Sequence, residues 1–315
     1  MVERPPLFRA WLLAPRRAPR HLTAMSKYRT IEIDSWADYQ RLVGGSGFRT
    51  WAFRGQQSAK WKLFSTISRY FRTFRVRSEA WSRQELRVNR IFRRKAHLYL
   101  SHVPDPDDDF QWLALMQHHG APTRLLDFTW SPFVAAFFAL EAATEPAAVW
   151  GLCVPRLLGE KVATAEGQLP ASDLRLNDPG HYDRWFIPNS LRFAVQGEPL
   201  VMNQRLVAQS ATFVVPGVLD QPVERIIESY RSPKRTLAKI VLDTERIRDD
   251  AMFSLYSMNI TNATLFPGLD GMARSLAFEL EHHWEYNPKT LDVHPDFLIQ
   301  RRGREPRPIQ RMPRA

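Results

Sequence analysis

The sequence predicts an α+β fold in which helical and extended segments alternate within one domain from about residue 26 to 300. Two helix starts are clear, because Ser35 and the pair Ser131-Pro132 have the residue types of N-caps and first helical positions. A stripe of apolar side chains over 79–101 recurs with the helical period. Short apolar runs separate these helices and are typical of buried strands. The 315 residues suffice for one large domain.

Local signals give the expected elements in chain order. They are a helix from Ser35 to Val43 that ends at Gly44-Gly45, a strand over 50–54, a helix over 79–101 with capping-box spacing from Ser82 to Glu85, a helix from Phe110 towards His118, and an apolar, buried helix over 133–143, then strands over 148–154, 184–187, 211–215 and 238–242, and helices over 223–230 and 244–257.

Composition excludes several classes of protein. Apolar residues make up 44% and charged residues 24%, which excludes wholesale disorder and rod-like repeats. The single cysteine, Cys153, excludes an intramolecular disulfide framework and a cysteine-cluster zinc site, and it favours a reducing, cytoplasmic location. The adjacent histidines His118-His119 and His282-His283 lack the usual ligand spacing, so we expect no metal. No apolar run is long enough to span a membrane, and no membrane partner is expected.

The net charge of +11 is concentrated at the two ends of the chain. Residues 1–24 carry +4 and residues 301–315 carry +5, whereas residues 25–300 carry only +2. We expect 1–24 to be a basic, disordered extension, with an untranslated upstream stretch or an organellar presequence as alternatives. We expect 301–315 to be a disordered basic tail.

Residues 69–95 form a basic segment with ten Lys or Arg against two Glu, interleaved with aromatic residues. Arginines beside aromatic rings bind phosphates and stack on bases, so this segment and the tails are candidates for nucleic-acid binding. The alternative is a solvated helix face whose aromatic side chains enter the core. The acidic loop 105–109 also carries the charge needed to dock on it.

Four motifs carry more specific information. They are Phe53-Arg54-Gly55-Gln56, the run from Gln117 to Pro132 (QHHGAPTRLLDFTWSP), Asn203-Gln204-Arg205 with Gln209, and Leu265 to Gly271 (LFPGLDG). Together they closely resemble the FRG domain family, named for its Phe-Arg-Gly motif, over about 50–275. This family has no settled activity, and the resemblance implies an intracellular microbial protein with a role in toxicity or phage defence. The chain lacks the usual phosphate-loop, dinucleotide and zinc-protease motifs.

A weaker resemblance is to ADP-ribosyltransferases, which place an Arg on an early strand, Ser or Thr on a later strand, and a Glu on a third. It implies a mixed, mainly antiparallel sheet core with flanking helices, and NAD as the substrate of ADP-ribosyl transfer or NAD hydrolysis, with an unknown acceptor protein. The matching residues are Arg54, Thr129, Ser131 and Gln209. At the third position this chain has Gln209 instead of Glu, and a Gln cannot act as a general base. Asp127 or Glu224 would then have to supply the carboxylate.

This chemistry is consistent with the residue types. An Arg such as Arg54 can bind a pyrophosphate through two parallel hydrogen bonds. Ser131 at a helix start lies where an anion is stabilised, and Gly55 permits close approach of the backbone. The candidate ligand-binding residues are Gly55, Gln56, Gln117, His118, His119, Thr123, Arg124, Asp127 and Arg205.

Each candidate also has a purely structural interpretation. Arg54 and Arg124 could pair with Asp127 and Asp270 in an ionic network. Thr129 and Ser131 could serve only as helix caps, one of the two histidines could be a structural group, and Leu265 to Gly271 reads as a turn. Two other functions therefore stay open, a non-catalytic module that binds nucleic acid or phosphate and a partner-sensing module.

Overall fold

The computed structural model describes residues 27–283 and 285–293, and its centre is a seven-stranded sheet. The strands are β1 (Arg29–Ile33), β2 (Trp51–Gln56), β3 (Leu126–Thr129), β4 (Ala147–Cys153), β5 (Lys161–Thr164), β6 (Gly167–Pro170), β7 (Ala194–Gly197), β8 (Ala211–Pro216) and β9 (Leu237–Leu242). The order in the sheet is β1-β9-β4-β2-β3-β8-β7, while β5 and β6 form a separate hairpin. Only the β1–β9 pair of this sheet is parallel. The predicted α+β class with a mixed, mainly antiparallel sheet is confirmed.

Helices flank this sheet. They are α1 (Trp36–Gly44), α2 (Thr66–Thr73), α3 (Ser78–Ala96), α4 (Asp109–His118), α5 (Pro132–Leu140), α6 (Val154–Leu158), α7 (Gln204–Ala208), α8 (Val223–Ile227), α9 (Pro233–Thr236), α10 (Thr244–Ser257), α11 (Asn262–Leu265) and α12 (Leu269–Glu281). Two 3₁₀ turns (Ser46–Phe48 and Ala171–Leu174) and a π-helical turn (Tyr182–Phe186) complete the described elements.

The helix-start signals read from the sequence are confirmed. Ser35 caps α1 by accepting a hydrogen bond from the backbone N–H of Asp38. Ser131 caps α5 by accepting from the N–H of Val134, and Pro132 occupies the first turn. These contacts satisfy donors that a helix cannot pair internally.

Several local expectations are wrong. Residues 184–187 do not form a strand, because 182–186 form a π-helical turn. The long basic helix α3 starts at Ser78, so Ser82 and Glu85 lie inside it and make no capping box. In the last motif Gly268 has a φ of +124° and ends the turn, but Asp270 and Gly271 already belong to α12.

Both faces of the sheet are buried. On one face, Phe53, Val149 and Ile240 pack with α1, α5 and α10. On the other face, Ala52 and Trp150 pack with α6 and α8. Strands covered on both sides have almost no polar positions, and all of β4 and β8 is buried.

Residues 1–24 and 301–315, predicted to be basic extensions, lie outside the described residues. Within the described ranges no helix has the length and hydropathy needed to cross a bilayer. In the same ranges no cluster of three or more His, Cys, Asp or Glu side chains is arranged to hold a metal ion.

Candidate functional site

The candidate site lies where β2 and β3 separate in the middle of the sheet. β2 pairs with β4 along its whole length, but its register with β3 consists of the single pair Phe53 and Thr129. Next to this pair the side chain of Arg54 connects the two strands, since its Nη1 donates a 2.5 Å hydrogen bond to the backbone oxygen of Asp127. The separation therefore places an arginine between two central strands.

Arg54 is a largely buried cation with incomplete charge compensation. Its side chain is 17% exposed, and its Nη1 lies 3.7 Å from Oδ2 of Asp127. Its Nε is buried and has no hydrogen-bond partner among the residues that the structure describes. Burial lowers the pKa of Arg54; Asp127 opposes this shift, and the nearby Arg69 adds to it. An anion placed beside this guanidinium would therefore be strongly stabilised.

Two side chains orient the carboxylate of Asp127. Gln117, near the end of α4, contacts it directly, and Thr123, after α4, fixes Gln117. Nε2 of Gln117 donates to Oδ2 of Asp127 at 2.9 Å. Oγ1 of the buried Thr123 donates to Oε1 of Gln117 at 2.6 Å and so fixes the orientation of this amide. Asp127 itself is 56% exposed. The relay thus holds a solvent-accessible carboxylate beside Arg54.

Arg205 of the third motif interacts electrostatically with the same carboxylate, and Arg274, just beyond the fourth motif, lies near Arg205. The guanidinium of Arg205 on α7 lies 4.7 Å from the ring centre of Phe266, and that of Arg274 on α12 lies 5.3 Å from the same ring. Burial lowers the pKa of Arg205, Asp127 opposes this shift, and Arg274 adds to it. Three of the four motifs therefore supply charged groups to one region.

The two adjacent histidines differ in their surroundings. His118 is partly buried and His119 is exposed, with their ring centres 4.8 Å apart. Burial lowers the pKa of His118, and both His119 and Arg205 add to this effect. The lowered pKa favours the neutral form of His118, whose ring can donate or accept a hydrogen bond.

A cleft of about 560 Å³ opens beside Arg54 and is hereafter the Arg54 cleft. Its walls are formed by Arg54, Gly55, Gln56, Gln57, Trp61, Lys62, Phe64, Arg69 and Phe138. Three of these residues are cations, three are aromatic and none is acidic. Trp61 is 54% exposed, so its indole face is accessible. The lining has the composition that a phosphate group next to a ring system requires.

Thr129, Ser131 and Gln209 lie together, but the protein itself uses their polar groups. Oγ1 of Thr129 donates to the backbone oxygen of Gln209 at 2.7 Å and accepts from the N–H of Ser131 at 3.0 Å. Nε2 of Gln209 donates to the backbone oxygen of Leu265 at 3.0 Å. The contacts fix the start of α5 and the end of α7. The structure thus brings together three residues that the ADP-ribosyltransferase resemblance assigns to catalysis.

Gly55 and Gln56 have structural roles in addition to lining the cleft. A Cβ on Gly55 would overlap the backbone oxygen of Ala135 and lie 2.6 Å from the N of Ala139, so glycine is needed where β2 crosses α5. Gln56 is buried, and its Oε1 accepts a 2.8 Å hydrogen bond from Nε1 of Trp150. The close approach predicted for Gly55 is thus explained by helix packing.

Arg124 belongs to a separate, fully buried network. Its Nε and Nη2 bind the two carboxylate oxygens of Glu85 at 2.6 and 2.5 Å. Nη1 donates to the backbone oxygen of Pro216, and the hydroxyl of Tyr182 donates to Glu85. Arg124 therefore has the structural ion pair that the alternative interpretation describes, but with Glu85 and not with Asp127 or Asp270. Its partner comes from the basic helix α3, and this pair is inaccessible to a ligand.

Sequence reasoning missed most of the cleft wall. Trp61, Lys62 and Phe64 lie between β2 and α2, and Phe138 lies on α5, outside the motif residues. Arg69 was assigned only to the basic segment. An available signal was the mixture of Lys and aromatic residues directly after the Phe-Arg-Gly motif.

Comparison with protein families gives one match, the FRG domain, over residues 49–148. The matched region includes Arg54, the relay from Gln117 to Asp127, and the whole lining of the Arg54 cleft. The motifs at 203–209 and 265–271 lie beyond it. Comparison with curated proteins and with solved structures gives no match. Residues 49–148 therefore contain an FRG domain.

Proposed function

We propose that the Arg54 cleft binds the phosphate groups of a nucleotide, with NAD as the first candidate. The observation that carries this proposal is the incomplete charge compensation of Arg54, a largely buried guanidinium. Among the described residues its one close carboxylate, Asp127, is 3.7 Å away and also binds Gln117. A pyrophosphate would supply the charge and the acceptors that the protein provides only in part.

The surroundings favour a nucleotide over a small inorganic anion. A volume of about 560 Å³ is within the range of pockets that bind organic ligands. Trp61 offers an exposed ring face on the same wall as Arg69 and Lys62, and Phe64 and Phe138 add apolar surface. Bases and nicotinamide rings stack on such faces, and this contact contributes affinity in addition to the charges.

Cleavage of NAD is the finer proposal. Breaking the bond between ribose and nicotinamide produces a cation-like ribosyl group, which a nearby carboxylate stabilises. Asp127 supports this role, because it is exposed, oriented by Gln117 and close to Arg54. Gln209 contributes only its backbone oxygen and a structural amide, and Glu224 is buried on the wall of another cleft. An ADP-ribosyl transferase or NAD hydrolase of this type, in a toxin or defence role, would depend on Asp127.

Nucleic-acid binding by residues 69–95 is a second candidate. Phe71 and Trp81 are buried in the core as the structural interpretation requires, but Tyr70 and Phe74 are 52% and 69% exposed. Their ring centres are 5.7 Å apart on the surface of α2. Exposed aromatic pairs among arginines are typical of surfaces that stack bases. This candidate would be supported if RNA binding falls steeply with rising salt and if the Tyr70→Ala variant no longer binds RNA.

Binding at the Arg54 cleft is tested by titrating NAD and ADP-ribose while following tryptophan fluorescence. We expect Arg54→Lys to weaken binding at least about tenfold, because lysine keeps the charge but loses the planar pair of donors. Arg41→Lys is the matched control, since Arg41 is exposed and pairs with Asp38 on α1. Unchanged affinity in a folded Arg54→Lys variant would contradict the proposal.

Cleavage is tested separately by measuring release of nicotinamide. We expect Asp127→Asn to abolish release while NAD still binds, because asparagine keeps the size of the side chain and one oxygen that can accept from Gln117, but not the charge. If the wild-type protein binds NAD and releases no nicotinamide, the chain is a binding module and the catalytic proposal fails.

A further inference from the structure

A second cleft, of about 330 Å³, lies on the other side of residues 60–62 and is hereafter the Lys239 cleft. Its lining residues are Lys27, Tyr28, Lys60, Trp61, Lys62, Trp150, Glu224, Arg225, Glu228 and Lys239. Trp61 and Lys62 also line the Arg54 cleft. The two clefts therefore meet at these two side chains.

The Lys239 cleft has more positive charge than its own carboxylates neutralise. Glu228 is engaged by Arg225 at 2.7 Å. Glu224 is buried and accepts a 3.0 Å hydrogen bond from the N–H of Leu63. Lys60 pairs with Glu145, which does not line the cleft.

Within the part of the chain that the structure describes, three lysines of this cleft have no carboxylate within ion-pair distance, although Glu224 interacts with Lys62 and Lys239 at longer range. Among the described residues, Lys27, Lys62 and Lys239 form no ion pair with a carboxylate. Nζ of Lys239 donates to the backbone oxygen of Ala59 and lies 5.0 Å from the ring centre of Trp150. The remaining donors of this ammonium group can bind a phosphate.

The boundary between the clefts is an accessible indole. Trp61 is 54% exposed, and it follows Lys60 and precedes Lys62 on the segment between β2 and α2. An arrangement of cation, aromatic ring and cation matches the alternation of phosphate and base along an unpaired strand. A duplex suits this arrangement poorly, because its bases are already stacked on one another.

We propose that the two clefts bind one single-stranded nucleic acid, with neighbouring phosphates in the Arg54 and Lys239 clefts and a base stacked on Trp61. This inference rests on the proposed function, since the Arg54 cleft is its first phosphate subsite. It adds the substrate class, because binding across two subsites makes an oligonucleotide a better ligand than a mononucleotide.

The test compares thymidine 5′-monophosphate with a 5′-phosphorylated thymidine hexanucleotide, using the full chain at 150 mM salt. We expect the hexanucleotide to bind at least about tenfold more tightly than the monophosphate. Lys239→Met should remove this advantage by weakening hexanucleotide binding far more than monophosphate binding. Arg54→Lys should weaken binding of both ligands, and Trp61→Ala should weaken binding of the hexanucleotide. The basic segments 1–24 and 301–315 are present in all variants, so they do not account for differences between them.

Substitutions at exposed positions serve as controls in case Lys239→Met impairs folding. Lys27→Ala removes an exposed cation of the same cleft, and Arg225→Ala leaves the charge of Glu228 there unpaired, so both should reproduce the effect of Lys239→Met. Equal affinity for both ligands, or a length advantage that survives all three substitutions, would overturn the proposal. It would also be overturned if Phe74→Ala, directly after α2, removed the advantage and the three substitutions did not. If Lys239→Met weakens hexanucleotide binding but Arg54→Lys affects neither ligand, two proposals are contradicted. They are the binding of one nucleic-acid strand across both clefts and the proposed function of the Arg54 cleft.

Discussion

Arg54 and Arg124 are two motif arginines whose surroundings give them different uses. Arg124 is completely buried, and Glu85 binds it through two short hydrogen bonds. Arg54 is 17% exposed, lines a cleft and lies 3.7 Å from a carboxylate that is itself mostly in solvent. Both arginines are candidates from the sequence, because each is an arginine within a motif of the FRG resemblance. What separates them is a glutamate 39 positions earlier, which no local pattern connects to Arg124.

A prediction at the residue scale concerns Gly55. We expect Gly55→Ala to destabilise the fold by about 1–3 kcal/mol, because the added Cβ overlaps the backbone of α5 at Ala135 and neither element can move freely. Gly47→Ala is the control, since a Cβ at Gly47 meets no atom within 4 Å. Chemical denaturation measures both. Equal stability of the two variants would show that β2 and α5 are less closely packed than the structure indicates.

At the scale of elements, the sequence was informative where a helix has a capping residue or a strand is fully buried. The starts of α1 and α5 and the central strands β2, β4, β8 and β9 follow from such signals. β3 and β7 have only four residues each, too few for a periodic pattern. The π-helical turn at Tyr182–Phe186 was mistaken for a strand because aromatic residues favour strands.

The same limit applies to the candidate site. The motifs located Arg54, Asp127 and Gln117, which the structure brings together. The separation of β2 from β3 depends on sheet order, and the aromatic wall depends on how residues 57–64 fold back beside Arg54. Both are tertiary properties that no short pattern encodes.

Ser131→Ala is the prediction for an element. Ser131 caps α5 through a 3.2 Å hydrogen bond from Val134, so its loss should cost about 0.5 to 2 kcal/mol of unfolding free energy. Thermal melting and NAD binding are measured on the same samples. If the free energy of NAD binding falls by no more than the free energy of unfolding, Ser131 serves only as a helix cap. If binding falls much more while the variant remains fully folded, Ser131 contacts the ligand.

At the scale of the whole molecule, charge is distributed unevenly. The chain carries +11, of which residues 1–24 and 301–315 hold +9. The remaining chain is nearly balanced, yet the walls of the Arg54 and Lys239 clefts contain seven different Lys or Arg residues and two Glu. Such a local excess in a nearly neutral body attracts an anionic ligand to one face.

Acidification is expected to destabilise the whole molecule between pH 7.5 and 5.5. Burial lowers the pKa of His118 and of His282 from the ordinary value of 6.5, so the unfolded chain binds more protons than the folded one as the pH falls below that value. The stability contributed by these neutral histidines is therefore complete above pH 7 and decreases towards pH 5.5. Burial raises the pKa of Glu224, which acts in the opposite direction because its protonation favours the folded state.

The melting temperature measured at half-unit pH steps tests this balance. We expect it to fall from pH 7.5 to 5.5 in the wild type, and to fall less in the double variant His118→Gln and His282→Gln. Both proteins should melt at similar temperatures at pH 7.5, where neither histidine is charged in the folded state. A melting temperature that rises on acidification would mean that Glu224 and Asp109, whose pKa burial also raises, outweigh the histidines. An identical decrease in the double variant would assign the pH dependence to other groups.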